Sequence, residues 1–186
     1  MQVEIAKKLF TADEYNRMAE AGILGPEDHV ELIDGEIIQM SPIGVRHVGF
    51  VSRANDLFIT TFKGKVVVGV QCPIQLTNYT EPEPDISLLK WRKDYYQGKR
   101  AEAEDALLVV EVSDTTLRYD REIKVPLYAA AGVPEVWIED INGDQLLVFR
   151  DPAGNNYTTT LTLRRGDSVS VLAFPETIFK VDDILG

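Results

Sequence analysis

Cysteine and histidine are scarce in this 186-residue chain, which carries one Cys72 and two histidines. A single cysteine forms no internal disulfide, so the expected location is cytoplasmic. Two histidines and one cysteine also fall short of the ligand sets of structural zinc. No apolar run approaches the roughly 18 residues of a membrane span. The N-terminal stretch MQVEIAKKLF lacks the apolar core of a signal peptide, and no membrane partner is expected. Positive charge is in short supply too: 19 Lys and Arg against 30 Asp and Glu leave a net charge of −11. That argues against a protein whose main work is non-specific retention of nucleic acid, because phosphate contacts need Lys and Arg. It leaves room for an enzyme in which metal ions and a local basic patch offset the acidity. There is no G-x-S-x-G elbow, no P-loop and no dinucleotide fingerprint. A serine hydrolase would need a histidine partner, and no recognisable motif surrounds His29 or His47.

What is present is an ordinary globular composition, 45% hydrophobic and 26% charged. A chain of this length is expected to form one domain, residues 1–186, around one core. Thr11 to Ala21 reads as a helix with a Thr11/Glu14 capping box and Gly22 as terminator. Asp34-Gly35 between apolar runs predicts a hairpin of strands Val30–Ile33 and Glu36–Met40. Gly44 to Phe62 has helical spacing, and Lys65 to Leu76 is a strand region bent near Pro73. Thr77 to Pro84 is a loop in which Glu81 and Glu83 are expected to be solvated. Trp91 to Asp105 is a charged connector. Its Trp91, Tyr95 and Tyr96, interleaved with Arg92, Lys93, Lys99 and Arg100, could touch a nucleic-acid strand, but a solvated amphipathic loop is the plainer reading. A helix to about Ala131 and a strand Glu135–Asp140 complete a right-handed parallel crossover. Gln145–Arg150, Tyr157–Arg164 and Ser168–Phe174 form an expected antiparallel meander, turning at Asn142-Gly143 and Gly154-Asn155. A helical turn within Pro175–Leu185 ends the chain.

The residues that carry chemistry sit between Glu83 and Tyr128. Ala106 to Ser113 is an apolar run of strand length, as in a strand covered on both faces. Alternation puts Leu107, Val109, Glu111 and Ser113 on one face, so Glu111 projects from the middle of a sheet. A buried carboxylate needs a cation, a hydrogen-bond network or a raised pKa. Asp85 follows Pro84 at the start of another short strand, Ile86–Leu89, 26 positions upstream of Glu111; Lys124 comes 13 positions after it, near a helix start.

Pro84-Asp85 followed by Glu111-Val112-Ser113 resembles the PD-(D/E)XK nuclease superfamily, with its restriction-endonuclease-like fold. More closely, the chain is similar to the Uma-type family of restriction-endonuclease-like proteins. The matching pieces are ELIDGEI at Glu31–Ile37, MSP at Met40–Pro42 with His47 after it, PEPDI at Pro82–Ile86, VVEVSDTT at Val109–Thr116 and DREIKVPLYAAAGVPEVWIED at Asp120–Asp140. Ser113 stands where the superfamily pattern has lysine, and Lys124 sits where this family places it.

The resemblance implies an α/β (α+β) fold, a central mixed sheet flanked by helices with an added C-terminal meander. It implies hydrolysis of DNA phosphodiesters, with Asp85, Glu111 and the Val112 carbonyl holding Mg²⁺, or Mn²⁺, and Lys124 orienting water or stabilising phosphoryl oxygens. Glu31 would join the acidic cluster, and His47 would contact phosphate or carry a proton. The plain alternatives are a buried Glu111–Lys124 ion pair, Asp85 as a turn residue, Glu31 as a hairpin glutamate paired with a lysine, and His47 as a cap or surface residue. Tyr128 reads as core with a possible bond to the site, and Asp120 as a helix cap. A non-catalytic interaction or DNA-binding module predicts a closed site with Glu111 locked in an ion pair. A hydrolase of another phosphoester is the third reading. A homodimer follows from analogy with double-strand cutters that pair two active sites.

Overall fold

The computed structural model describes residues 6–25 and 27–186; residues 1–5, part of the stretch on which the signal-peptide argument rests, and Pro26 lie outside them. Thr11 opens α1 (Ala12–Glu20) with the expected capping box: its hydroxyl accepts the Glu14 N–H, and the Glu14 carboxylate accepts the Thr11 N–H. Asp34 and Gly35, at φ +49° and +79°, make the two-residue turn between β1 (Val30–Ile33) and β2 (Glu36–Gln39). A Cβ on Gly35 would meet Leu9 Cβ at 2.7 Å, so this position needs glycine twice over. Gly44 leads into α2 (Val45–Phe62). The strand region that follows is broken rather than bent, into β3 (Val66–Val70) and β4 (Ile74–Gln75). Gln71 takes a positive φ of 48° there and Pro73 has no N–H for a ladder.

β5 (Ile86–Lys90), β6 (Ala101–Glu102) and β7 (Ala106–Ser113) come next. The crossover runs through α3 (Leu117–Tyr119), a π-helical turn (Asp120–Lys124) and α4 (Val125–Ala130), with Pro126 in the first turn of α4, where its missing N–H costs nothing. β8 (Glu135–Asp140) then pairs parallel with β7. β9 (Gln145–Ala153) and β10 (Asn156–Leu163) follow as antiparallel neighbours. The central sheet has the order β10-β9-β8-β7-β5-β3, antiparallel everywhere except β7/β8. This is the expected mixed sheet.

The meander differs from expectation in its last strand. β11 (Ser168–Ser170) does not extend the sheet; it pairs with β12 (Ile178–Lys180), and only α5 (Val181–Leu185) is helical in the terminal segment. Here the sequence offers a short, half-exposed strand, and burial of Val169, Phe179 and Val181 against α2 decides the partner. Alternation in β7 also fails at one residue. Leu88 pairs with Leu108 and Leu89 with Ala106, so Leu107 is an extra residue in a bulge. It packs with Leu108, Val110 and Val112, opposite to the face alternation assigns it.

α2 and α5 cover one face, around Phe58, Trp137 and Phe179; α4 covers the other, around Val109, Tyr128 and Ile138. Phe58 is fully buried, with ring centroids 6.4, 6.0 and 5.7 Å from those of Phe62, Trp137 and Phe179. Phe58→Ala is expected to lower the unfolding free energy by about 3–5 kcal/mol, the usual cost of such a truncation. Urea denaturation checks this as a lower midpoint at unchanged slope; a loss below about 1 kcal/mol, an ordinary surface value, would contradict the packing.

Candidate functional site

Asp85 is delivered to the sheet by a missing hydrogen bond. β5 begins at Ile86, opposite Val110, so β5 offers no backbone partner two residues further along β7. The Asp85 carboxylate takes that place, its Oδ2 accepting the Val112 N–H at 2.9 Å. Its Oδ1 lies 2.8 Å from Nε2 of His47, in the first turn of α2. The hydrogen bond to Asp85 raises the His47 pKa above its ordinary value, partly opposed by burial. Asp85 and His47 keep 13% and 15% side-chain exposure, so this side of the site is the less buried one.

Glu111 stands behind them, 2% exposed. Lys124 reaches it from the π-helical turn, which buries Asp120 and Lys124 while Arg121, Glu122 and Ile123 stay exposed. The Lys124 ammonium lies 3.2 Å from Glu111 Oε1 and 3.2 Å from Glu31 Oε2. Burial would lower the lysine, but Glu111 and Glu31 outweigh it and hold it well above its usual value. Tyr128 donates to the same Glu111 oxygen at 2.7 Å. Both contacts therefore fall on Oε1. Among the described residues Oε2 takes no hydrogen bond, and it is not among the side-chain oxygens sealed from solvent without a partner. Burial pushes the Glu111 carboxyl up to about 8, against the pull of Lys124 and with Asp120 and Asp85 adding to the rise.

Glu31 is saturated. Its Oε1 accepts from Tyr119 and its Oε2 from the Glu83 N–H and Lys124. It joins the cluster, and it does so as the partner of a lysine. Asp120 does not cap a helix: it is buried, accepting from Ser113 Oγ at 2.7 Å and Thr116 Oγ1 at 2.6 Å. Burial raises its pKa while Lys124 pulls it down. Glu81 and Glu83 are not solvated either. Glu81 is buried against Asn16 and within 3.6 Å of Arg100; Glu83 is half-buried and raised by burial and then by Glu31. The loop packs under α1 and the hairpin, through Leu32 paired to Glu81, which no local pattern announces.

The structure thus brings together all five candidate side chains: Asp85 with His47, and Glu111 with Lys124 and Glu31. Tyr119 is an addition the sequence did not single out, and Ser113, noted there only as standing in place of a lysine, binds Asp120. Another addition is Glu139, wholly buried on β8 beside Val112, with both carboxyl oxygens unpartnered among the described residues. Burial, then Asp85, pushes it well above its ordinary range.

Chemically, the carboxylates outnumber the cations here, and the donors are hard oxygens. Among the described residues no three Asp, Glu, His or Cys side chains converge on one metal-sized point. A metal would rest on Asp85, Glu111 Oε2 and the Val112 carbonyl, a small set of hard donors that suits Mg²⁺, and would take the place of His47, which here bonds both Asp85 and the Val112 backbone. Lys124 is the one cation within salt-bridge reach of Glu31 and Glu111 among the described residues. Lys124→Met is expected to cost about 3–5 kcal/mol above about pH 8, where Glu111 is ionised, by leaving the buried Glu111 carboxylate without its cation. Glu111 already binds its proton more tightly folded than unfolded, and removing Lys124 strengthens that, so the loss should shrink as pH falls. Denaturant titration across pH checks this; a small or pH-independent loss would contradict it.

No curated protein matches the sequence. Among solved structures, the chain is similar to a protein of Anabaena variabilis described as "a putative nuclease belonging to DUF820". Superposition gives a TM-score of 0.73 at 17% identity, covering 95% of this chain and 97% of that one, so the two share a fold. Among the described residues no helix is long and apolar enough to cross a membrane. The Uma2 family, whose description is "Putative restriction endonuclease", matches residues 12–182, and the chain belongs to that family.

Proposed function

We propose that the protein is a Mg²⁺-dependent endonuclease that hydrolyses DNA phosphodiesters at the site built on Asp85, Glu111 and Lys124. The observation that carries this reading is Glu111 Oε2, which among the described residues takes no hydrogen bond, at the same end of the paired strands β5 and β7 as a part-exposed Asp85. Asp85, Glu111 and the Val112 carbonyl would hold the ion. Bound there, it supplies charge neutralisation at the phosphoryl oxygens and acidifies water.

The chain's own groups do the rest. Lys124 stays protonated, so it acts as a fixed positive charge toward the phosphoryl oxygens rather than as a base. Glu31 and Tyr128 fix its position by holding the ammonium and the shared Glu111 oxygen. The N-terminus of α2 carries Arg46 and His47, has no side-chain cap and no acidic residue in its first turn. The helix N-terminus and a protonated His47 favour a phosphate beside Asp85, whereas Arg46 is held 3.4 Å from Asp114. This local arrangement offsets a chain charge that otherwise repels DNA.

One observation favours a second reading, a non-catalytic module. Glu111 is nearly closed off and ion-paired with Lys124, as such a module requires. Plasmid cleavage with Mg²⁺ separates the two. The nuclease reading expects nicking by the wild type and a loss of at least about 100-fold in the Asp85→Ala, Glu111→Ala double variant, the scale on which active-site electrostatic groups count. Equal inertness of both proteins, with no Mg²⁺ or Mn²⁺ binding, supports the module. A pH profile adds a second check. Glu111 must lose its proton to ligate, so metal affinity and rate should climb as pH rises toward about 8 and level off above it. A profile falling over that range would count against Glu111 as ligand.

A further inference from the structure

The segment from Lys90 to Arg100 holds five cations and one carboxylate in a chain whose net charge is −11. It leaves β5 at the end opposite Asp85. The loop is held rigid from within. Arg92 grips Asp94 through two bonds of 2.9 and 2.7 Å, and its guanidinium lies over the Tyr96 ring at 4.8 Å. Tyr96 closes the loop by donating its hydroxyl to the Lys90 carbonyl at 2.9 Å. Tyr95 and Tyr96 both adopt left-handed backbone, φ 49° and 62°, a conformation side chains adopt at a cost and one that turns them to opposite uses. Tyr96 packs inward against the α4-side core, whereas Tyr95 stays 64% exposed. It meets Trp91, 44% exposed, with ring centroids 5.3 Å apart and planes inclined at 51°. Lys90 and Lys93 are exposed, and neither has a salt-bridge partner among the described residues.

We infer that Trp91 and Tyr95 form a stacking platform for the bases of single-stranded nucleic acid, with Lys90 and Lys93 taking the adjoining phosphates. Aromatic faces accept any base, and unpaired lysines beside them accept the backbone, which is the combination single-strand binders use. Pre-set rings lose little freedom on binding. The position fits the candidate site: the six steps along the chain from Asp85 to Trp91 span about 20 Å at strand rise. At 3.4 Å per nucleotide that is about six nucleotides along a stacked strand. The choice of nucleic acid as the polymer rests on the nuclease reading; the binding itself does not require cleavage.

The test is therefore run on the full chain carrying Asp85→Ala, with chelator present, so that failure of the nuclease leaves it intact. Trp137 is buried, so quenching of tryptophan fluorescence reports Trp91, the other of the two tryptophans. A mixed-sequence single-stranded oligodeoxynucleotide should quench it, and the same sequence as a duplex should quench it less. Anisotropy of the labelled oligonucleotide should show binding weakened about tenfold by Trp91→Ala and by Tyr95→Ala, and largely kept by Trp91→Phe. Tyr79→Ala, an exposed tyrosine elsewhere, should change nothing. Absence of quenching, stronger quenching by the duplex, or unchanged affinity in Tyr95→Ala would overturn the platform.

Discussion

The Lys124 ammonium, shared between Glu31 and Glu111, is the interaction on which the rest of the site depends. It joins β1, β7 and the π-helical turn, elements that lie far apart in sequence, at one buried point. Such a charge is expensive to bury, and its attraction to two carboxylates repays the cost only when the remaining donors and acceptors are satisfied. Here they nearly are. Tyr119 and the Glu83 N–H finish Glu31, Tyr128 finishes Glu111 Oε1, and Ser113 and Thr116 share Asp120 Oδ2. What remains among the described residues is one oxygen each of Glu111 and Asp120, and the part-exposed side of Asp85.

That remainder gives the site its character. Three neighbouring carboxyls, those of Glu111, Asp120 and Glu83, are raised first by burial and in each case also by Asp85, so the cluster is short of positive charge. The less buried side faces the N-terminus of α2, which carries no carboxylate in its first turn. The Uma2 family chain thus holds a deficit of cations next to a surface that favours anions. A divalent ion and a phosphate would satisfy both.

Much of this was legible in the sequence. Glu111 betrayed itself as the charged residue in an apolar strand, Asp85 by its proline and the following short strand, and the Asp34-Gly35 turn by its chemistry. The Leu107 bulge was hidden because alternation carries no sign of an inserted residue. The burial of Glu81 and Glu83 was hidden because loop composition says nothing about what packs above it. Asp120 looked like a cap because an acid ahead of a helix usually is one; the π-helical turn and the Ser113 hydroxyl redirected it inward. Glu139 was hidden for a different reason: Asp140 follows it at the strand's end, where charge is ordinary, and only the sheet register sets it beside Val112 and near Asp85.

The most direct test of the account is an anomalous-scattering map from crystals of the protein soaked in Mn²⁺. A peak bounded by Asp85, Glu111 Oε2 and the Val112 carbonyl, with the Lys124 bridge to Glu31 intact, is the predicted result. A map with no peak there at millimolar Mn²⁺, or with the ion only on surface carboxylates, would contradict the central claim and leave the cluster as structure.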